Sequence, residues 1–192
     1  MFFAKKNKEL DQFAELLKKG IIALFHERGK IKFSDLDVKQ HQIIEADGKM
    51  RANGIEKFPN TVTFVSAVNF YVSPEALEKK KTLGALIMYV PKDYLPMLMK
   101  KFQYPPVDDE NEDAMLDSIG TLCNITAGRF KSEIKSAGYA DLEMSHFINY
   151  KNNAVVGIPF CPAEYDYYQL IGSIEGEPRV ILDMSMGVVP KR

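Results

Sequence analysis

The sequence predicts an α+β fold: a mainly antiparallel sheet with two long helices packed on one face. Two stretches repeat apolar residues at helical spacing, about Asn7 to Glu27 and about Glu112 to Ala137. Runs rich in β-branched and aromatic residues lie between them, and the last third is a series of strand-like segments divided by turns. Helix, strands, long helix and then hairpins is the pattern of helices segregated onto an antiparallel sheet. The chain of 192 residues and 21.8 kDa sits in the single-domain range and is read as one domain, 1–192, with an inserted excursion at 30–60. At this size roughly 70% of the unfolded surface is buried on folding, so the core needs no metal or disulfide staple.

The first helix places Leu10, Phe13, Leu17, Ile21, Leu24 and Phe25 on one face, with Arg28-Gly29 as its stop. Residues 30–60 are polar and carry the hairpin-like pair Asp47-Gly48, read as a weak strand pair or an ordered excursion. Thr61–Ser73 is a strand, and Ser73-Pro74-Glu75 caps a short helical turn that runs into the solvated Glu78–Lys81 charges. Leu83–Val90 is a short apolar strand. Asp93 is the expected N-cap of a helix ending near Phe102, with Pro96 in the first turn, where proline is tolerated. Tyr104–Asp113 is a proline-bearing acidic loop, and the second long helix stops at Gly138. Leu142–Tyr150 and Ala154–Ile158 flank a Lys151-Asn152-Asn153 turn, and Tyr167–Ile174 and Arg179–Met186 flank Glu175–Pro178. In the last of these, Val180, Leu182, Met184 and Met186 alternate with Arg179, Asp183 and Ser185, a one-sided strand.

Composition narrows the function. Lys and Arg number 25 against 26 Asp and Glu, a formal net charge of -1. A protein that holds nucleic acid through its phosphates carries a basic excess, so no nucleic-acid partner is expected. Hydrophobic residues make up 46%, and no apolar run approaches the ~20 residues that span a bilayer, so no membrane partner is expected either. Met1–Ala4 is followed at once by Lys5-Lys6, which leaves no apolar signal-peptide stretch. Two cysteines, Cys123 and Cys161, fit a reducing compartment, and the expected location is the cytoplasm.

The second long helix is the most informative segment. Met115, Leu116, Ile119, Leu122, Cys123, Ala127, Phe130 and Ile134 fall within an arc of about 140° and should face the sheet. Asp113, Asp117, Gly120, Thr121, Asn124 and Gly128 gather within about 100° on another side. A glycine inside a helix costs about 1 kcal/mol relative to alanine, and this helix has two. Close packing within the chain would explain the pair. So would the approach of another protein's backbone to Asn124.

Asp117-Ser118-Ile119-Gly120-Thr121-Leu122-Cys123-Asn124-Ile125-Thr126-Ala127-Gly128 resembles the signature helix of the CheC/CheX/FliY chemotaxis phosphatases. The family pattern is Asp or Ser, three residues, Glu, two residues, Asn, three residues, Gly. Asp117, Asn124 and Gly128 match in register, and the family's Glu position is Thr121. Phe58–Phe64 and Leu83–Phe102 resemble CheX segments as well. The likeness covers most of the chain from about Lys6, apart from residues 30–60.

The resemblance implies a protein that binds a phosphorylated CheY-like receiver domain and hydrolyses its aspartyl phosphate. Asn124 would be the catalytic residue that orients the attacking water, and Asp117, Gly120, Thr121 and Gly128 would contact the partner. An amide suits this role because it donates and accepts hydrogen bonds without bringing charge to the phosphate. The receiver brings its own magnesium and lysine, so the chain needs no cofactor or metal of its own. A homodimer is also implied. Thr121 cannot make the ion pair of the family's Glu with the receiver's lysine. Three readings stay open: Asp117 supplies the charge, Asn124 works alone with weaker docking, or the chain is a non-catalytic interaction module.

Other constellations point to packing. His26, His41 and His146 lie far apart with no metal-ligand spacing, and Cys161 has no nearby histidine. Cys123 falls on the apolar face of the helix and is expected to be buried and inert. No phosphate-binding glycine loop and no GxSxG elbow is present.

Overall fold

The computed structural model describes residues 8–151 and 155–192. Helix α1 (Lys8–Gly29) leads to strands β1 (Asp35–Gln42), β2 (Glu45–Ala46) and β3 (Lys49–Asn53), then the single turn α2 (Gly54–Lys57). Strand β4 (Thr63–Tyr71), the short helix α3 (Pro74–Glu78), strand β5 (Gly84–Pro91) and helix α4 (Leu95–Lys101) follow. The long helix α5 (Glu112–Ser136) precedes β6 (Glu143–Met144), β7 (Ile148–Lys151), β8 (Val155–Pro159), β9 (Asp166–Ile174) and β10 (Glu177–Met186). The large sheet runs β1-β9-β10-β5-β4, with β6 and β7 both on the outer edge of β4, and every pairing is antiparallel. A second sheet, β2-β3-β8, is also antiparallel.

The apolar stripe of α1 fell where the spacing put it: Phe13, Leu17 and Phe25 are fully buried. Together with α4 and α5 they pack on the face of the large sheet that presents Phe64, Val68, Leu86, Met88, Leu182 and Met184. The opposite face presents Val65, Ile87, Tyr89 and Ile181 to the small sheet, which answers with Met50, Ala52 and Ile158. The molecule therefore has three layers, helices on large sheet on small sheet.

This third layer corrects several expectations. Residues 30–60 form more than a weak strand pair. Asp47-Gly48 does turn β2 into β3, with both residues at positive φ (52° and 71°), but β1 is a separate eight-residue strand at the edge of the large sheet, paired with β9. Leu142–Tyr150 and Ala154–Ile158 do not form a hairpin. β7 fills the edge of β4, while β8 crosses to pair with β3. Ala154 and, in the predicted turn, Asn152 and Asn153 lie outside the described residues, as does Asn7 at the start of the first helix. Strand β10 is buried on both faces from Val180 on, because α2 covers Asp183 and the small sheet covers that side; Asp183 and Ser185 are 2% and 0% exposed.

Helix ends also differ in one place. Asn111 caps α5, its Oδ1 accepting from the Ala114 N–H at 3.1 Å, and Ser73 caps α3 by accepting from the Ala76 N–H at 3.2 Å. The N-cap of α4 is Tyr94 and not Asp93, and it makes no side-chain capping bond. Asp93 instead faces the Arg179 guanidinium at 3.6 Å. Among the described residues no helix is long and apolar enough to cross a membrane.

Candidate functional site

Helix α5 is anchored along its length. Met115, Ile119, Cys123, Phe130 and Ile134 are each 0% exposed against the sheet and α1. Three hydroxyls on the helix bond back to its own carbonyls, Ser118 to Ala114 at 2.7 Å, Thr126 to Leu122 at 2.8 Å and Ser132 to Gly128 at 2.9 Å. This satisfies them without a second element. The helix stops as expected, with Gly138 at φ 92° in the left-handed region.

The face turned away from the sheet carries the predicted residues. Asp117 and Asn124 are exposed, Thr121 is half-buried between them, and Gly128 is half-buried one turn further on. Among the described residues the Asn124 amide makes no hydrogen bond and the Asp117 carboxylate makes no ion pair. An ideal Cβ on Gly128 meets no atom within 4 Å, so the surface beside Asn124 is open. Gly120 behaves differently. It is buried, and a Cβ there would lie 2.4 and 2.5 Å from Cε2 and Cδ2 of Phe147 and 2.8 Å from Nδ2 of Asn149. One glycine is thus explained by packing within the chain, and the other leaves room for a neighbour. Gly120 is the floor under Phe147.

Charge is graded along this face. The acidic segment Asp108–Asp113 lies at the helix N-terminus, where negative charge complements the helix dipole. Two lysines tie it to the sheet: Lys92 at the end of β5 faces Glu110 at 3.8 Å, and Lys151 of β7 pairs with Glu112. At the other end Lys131 and Lys135 both pair with Asp141, whose carboxyl they hold below the usual range. Asn124 is the neutral centre between an acidic and a basic stretch. Sequence reasoning missed Phe147, Asn149 and Lys151. The glycine at position 120 was the one signal that something large sat against it, and it did not say what.

Cys123, as expected, is buried; burial pushes its thiol up to about 12, and its Sγ donates to the Ser66 carbonyl at 3.5 Å. Among the described residues no three His, Cys, Asp or Glu side chains gather as they would around a metal ion.

The architecture and the helix together define an α+β protein of the CheX-like fold. No family model matches the chain, and no curated protein matches it in sequence. Solved structures do. A CheC-like superfamily protein from Shewanella sp. PV-4 aligns with a TM-score of 0.57 at 13% identity, over 90% of this chain and 95% of the other. The chemotaxis protein CheX from Vibrio vulnificus aligns with a TM-score of 0.57 at 12% identity, over 90% and 97%. A CheX–CheY–BeF3–Mg2+ complex from Borrelia burgdorferi aligns with a TM-score of 0.53 at 9% identity, over 92% and 98%. At these identities the likeness is one of fold.

Chemically, the arrangement offers an uncharged donor-acceptor amide on a rigid helix, beside the Asp117 carboxylate, which pairs with none of the described residues, and an open glycine. Such a surface can enter another protein's polar site and orient a small molecule there.

Proposed function

We propose that this protein docks α5 on a phosphorylated CheY-like receiver domain and promotes hydrolysis of the receiver's aspartyl phosphate. The observation that carries the reading is the pairing of Asn124, exposed and uncommitted, with the open surface at Gly128. The Borrelia neighbour of the same fold is a complex with CheY, which supports the choice of partner. Asn124 supplies orientation of a water, the main lever in phosphoryl transfer. Asp117, on the same exposed stripe, stands in for the charge that Thr121 lacks. The magnesium belongs to the receiver, and this chain contributes no cofactor. A homodimer, with a sedimentation mass of twice 21.8 kDa, belongs to the same reading.

The test is the decay of a magnesium-loaded, phosphorylated receiver with the wild-type protein and with Asn124→Ala. Accelerated decay that disappears in the variant supports the proposal. Unchanged decay at saturating protein sinks it. Thr121 favours a second reading, in which the same face docks a receiver without hydrolysing anything. Retained binding with no acceleration is the outcome that selects it.

A further inference from the structure

Phe147 is separated from the signature helix by a turn and a strand, yet it touches the helix between Asp117 and Asn124. Its ring fills the notch left by Gly120, and Gly120 is one helical turn before Asn124 on the neighbouring row of the helix surface. Asn149, two residues further on in β7, adds its amide nitrogen to the notch, so both contacts fall on one turn of α5. Strand β7 is itself fixed by register to β4, with Asn149 opposite Ser66 and Ile148 opposite Ala67. The ring is therefore a spacer between a fixed strand and a helix that has no side chain at the point of contact.

This contact is not the one that stability alone would select. A helix interior prefers alanine to glycine, and the Asn149 Oδ1 buried there has no hydrogen-bond partner among the described residues. Two unfavourable features at one turn mark a place where geometry outweighs stability. Phe147 is half-buried.

We propose that Phe147, seated on Gly120 and backed by Asn149, is the positioning residue that sets the axial roll of α5 and so the direction in which Asn124 leaves the helix. The catalytic part of this proposal rests on the phosphatase reading above; the structural part does not. Removing the ring lets the helix rotate or settle toward β7, and an amide displaced by about 1 Å can lose up to a hundredfold in rate. Gly120→Ala should act in the opposite sense, pushing the helix away from the ring.

The experiment uses the full chain with Phe147→Ala, Phe147→Leu, Gly120→Ala and the double variant Gly120→Ala/Phe147→Ala. Residual dipolar couplings measure the orientation of α5 against the sheet, and receiver dephosphorylation is measured well below each variant's melting temperature. Phe147→Ala and Gly120→Ala should each rotate α5 and lower kcat by about tenfold or more, with KM changed less than twofold. Phe147→Leu should restore most of the rate, and the double variant should recover part of it because the added methyl occupies the vacated space. An unrotated helix in folded Phe147→Ala overturns the proposal, as does a rotated helix with unchanged kcat. If the wild-type protein accelerates nothing, the phosphatase reading fails by itself, and the dipolar couplings still decide whether Phe147 sets the helix roll.

Discussion

Asn124 and Thr121 lie less than one turn apart on the same face, and the difference between them defines the chemistry at residue scale. The amide is exposed and unbonded among the described residues, while Thr121 is half-buried and presents only a hydroxyl where the resembled pattern has a carboxylate. Thr121→Glu should therefore strengthen docking on a receiver that offers a lysine there. Glutamate is also the better helix former, by a few tenths of a kcal/mol. A single restored charge pair of about 1.4 kcal/mol corresponds to a tenfold fall in the half-saturating receiver concentration, which a titration of the dephosphorylation rate reads directly. No tightening in the folded variant would remove Thr121 from the docking surface. Asn124 and Gly128 could be read from the sequence because helical periodicity alone places them on one exposed stripe. Periodicity put Gly120 on the same stripe, yet it is buried. Its contact, Phe147, lies on another element, and the sequence carries no sign of which strand passes beneath that turn.

Elements were legible where a local signal was strong. α1, α5, β4, β5 and the β9–β10 pair fell close to their predicted bounds, because apolar period, caps and turns all agree there. Pairing between distant strands was not legible. β7 and β8 follow one another in the chain, yet one completes the large sheet and the other the small one, a choice made by the edges available on β4 and β3. The apolar face of α5 carries a prediction of its own. Burial pushes the Cys123 thiol up to about 12, so at pH 8 about one molecule in ten thousand carries its thiolate, and no solvent path reaches the sulfur of a residue that is 0% exposed. Cys161 is only half-buried. With iodoacetamide at pH 8, Cys161 should be alkylated at least a hundredfold faster, as followed by mass spectrometry of the native protein. Comparable rates at the two cysteines would mean that α5 opens from the sheet far more often than its packing implies.

At the scale of the molecule, the third layer is what the sequence concealed, and a buried charge pair lies on the sheet face that it covers. Lys57 of α2 reaches Asp183 of β10 at 2.9 Å, with the two side chains 13% and 3% exposed. Gln169 of β9 donates a second hydrogen bond to the same carboxylate at 2.8 Å, and the Lys57 ammonium stands 5.0 Å from the centre of the Tyr89 ring. Burial, and after it the nearby Asp183 charge, holds the Tyr89 phenol well above its ordinary range, so the tyrosine stays neutral and the lysine is the cation that balances the aspartate. Alternation made β10 read as one-sided because Asp183 and Ser185 are polar; the cover brought by α2 and the small sheet turns that polar row inward. A pair this dry contributes little net stability once desolvation is counted, but losing one partner strands the other. Lys57→Met should therefore cost about 3–5 kcal/mol in denaturant unfolding, whereas Lys57→Met/Asp183→Leu should recover most of that loss. Helix α5 packs on the opposite face of the large sheet, so receiver binding should survive the double change. If Lys57→Met costs less than about 1 kcal/mol, water already reaches Asp183, and the small sheet does not close over the large one as tightly as its packing requires.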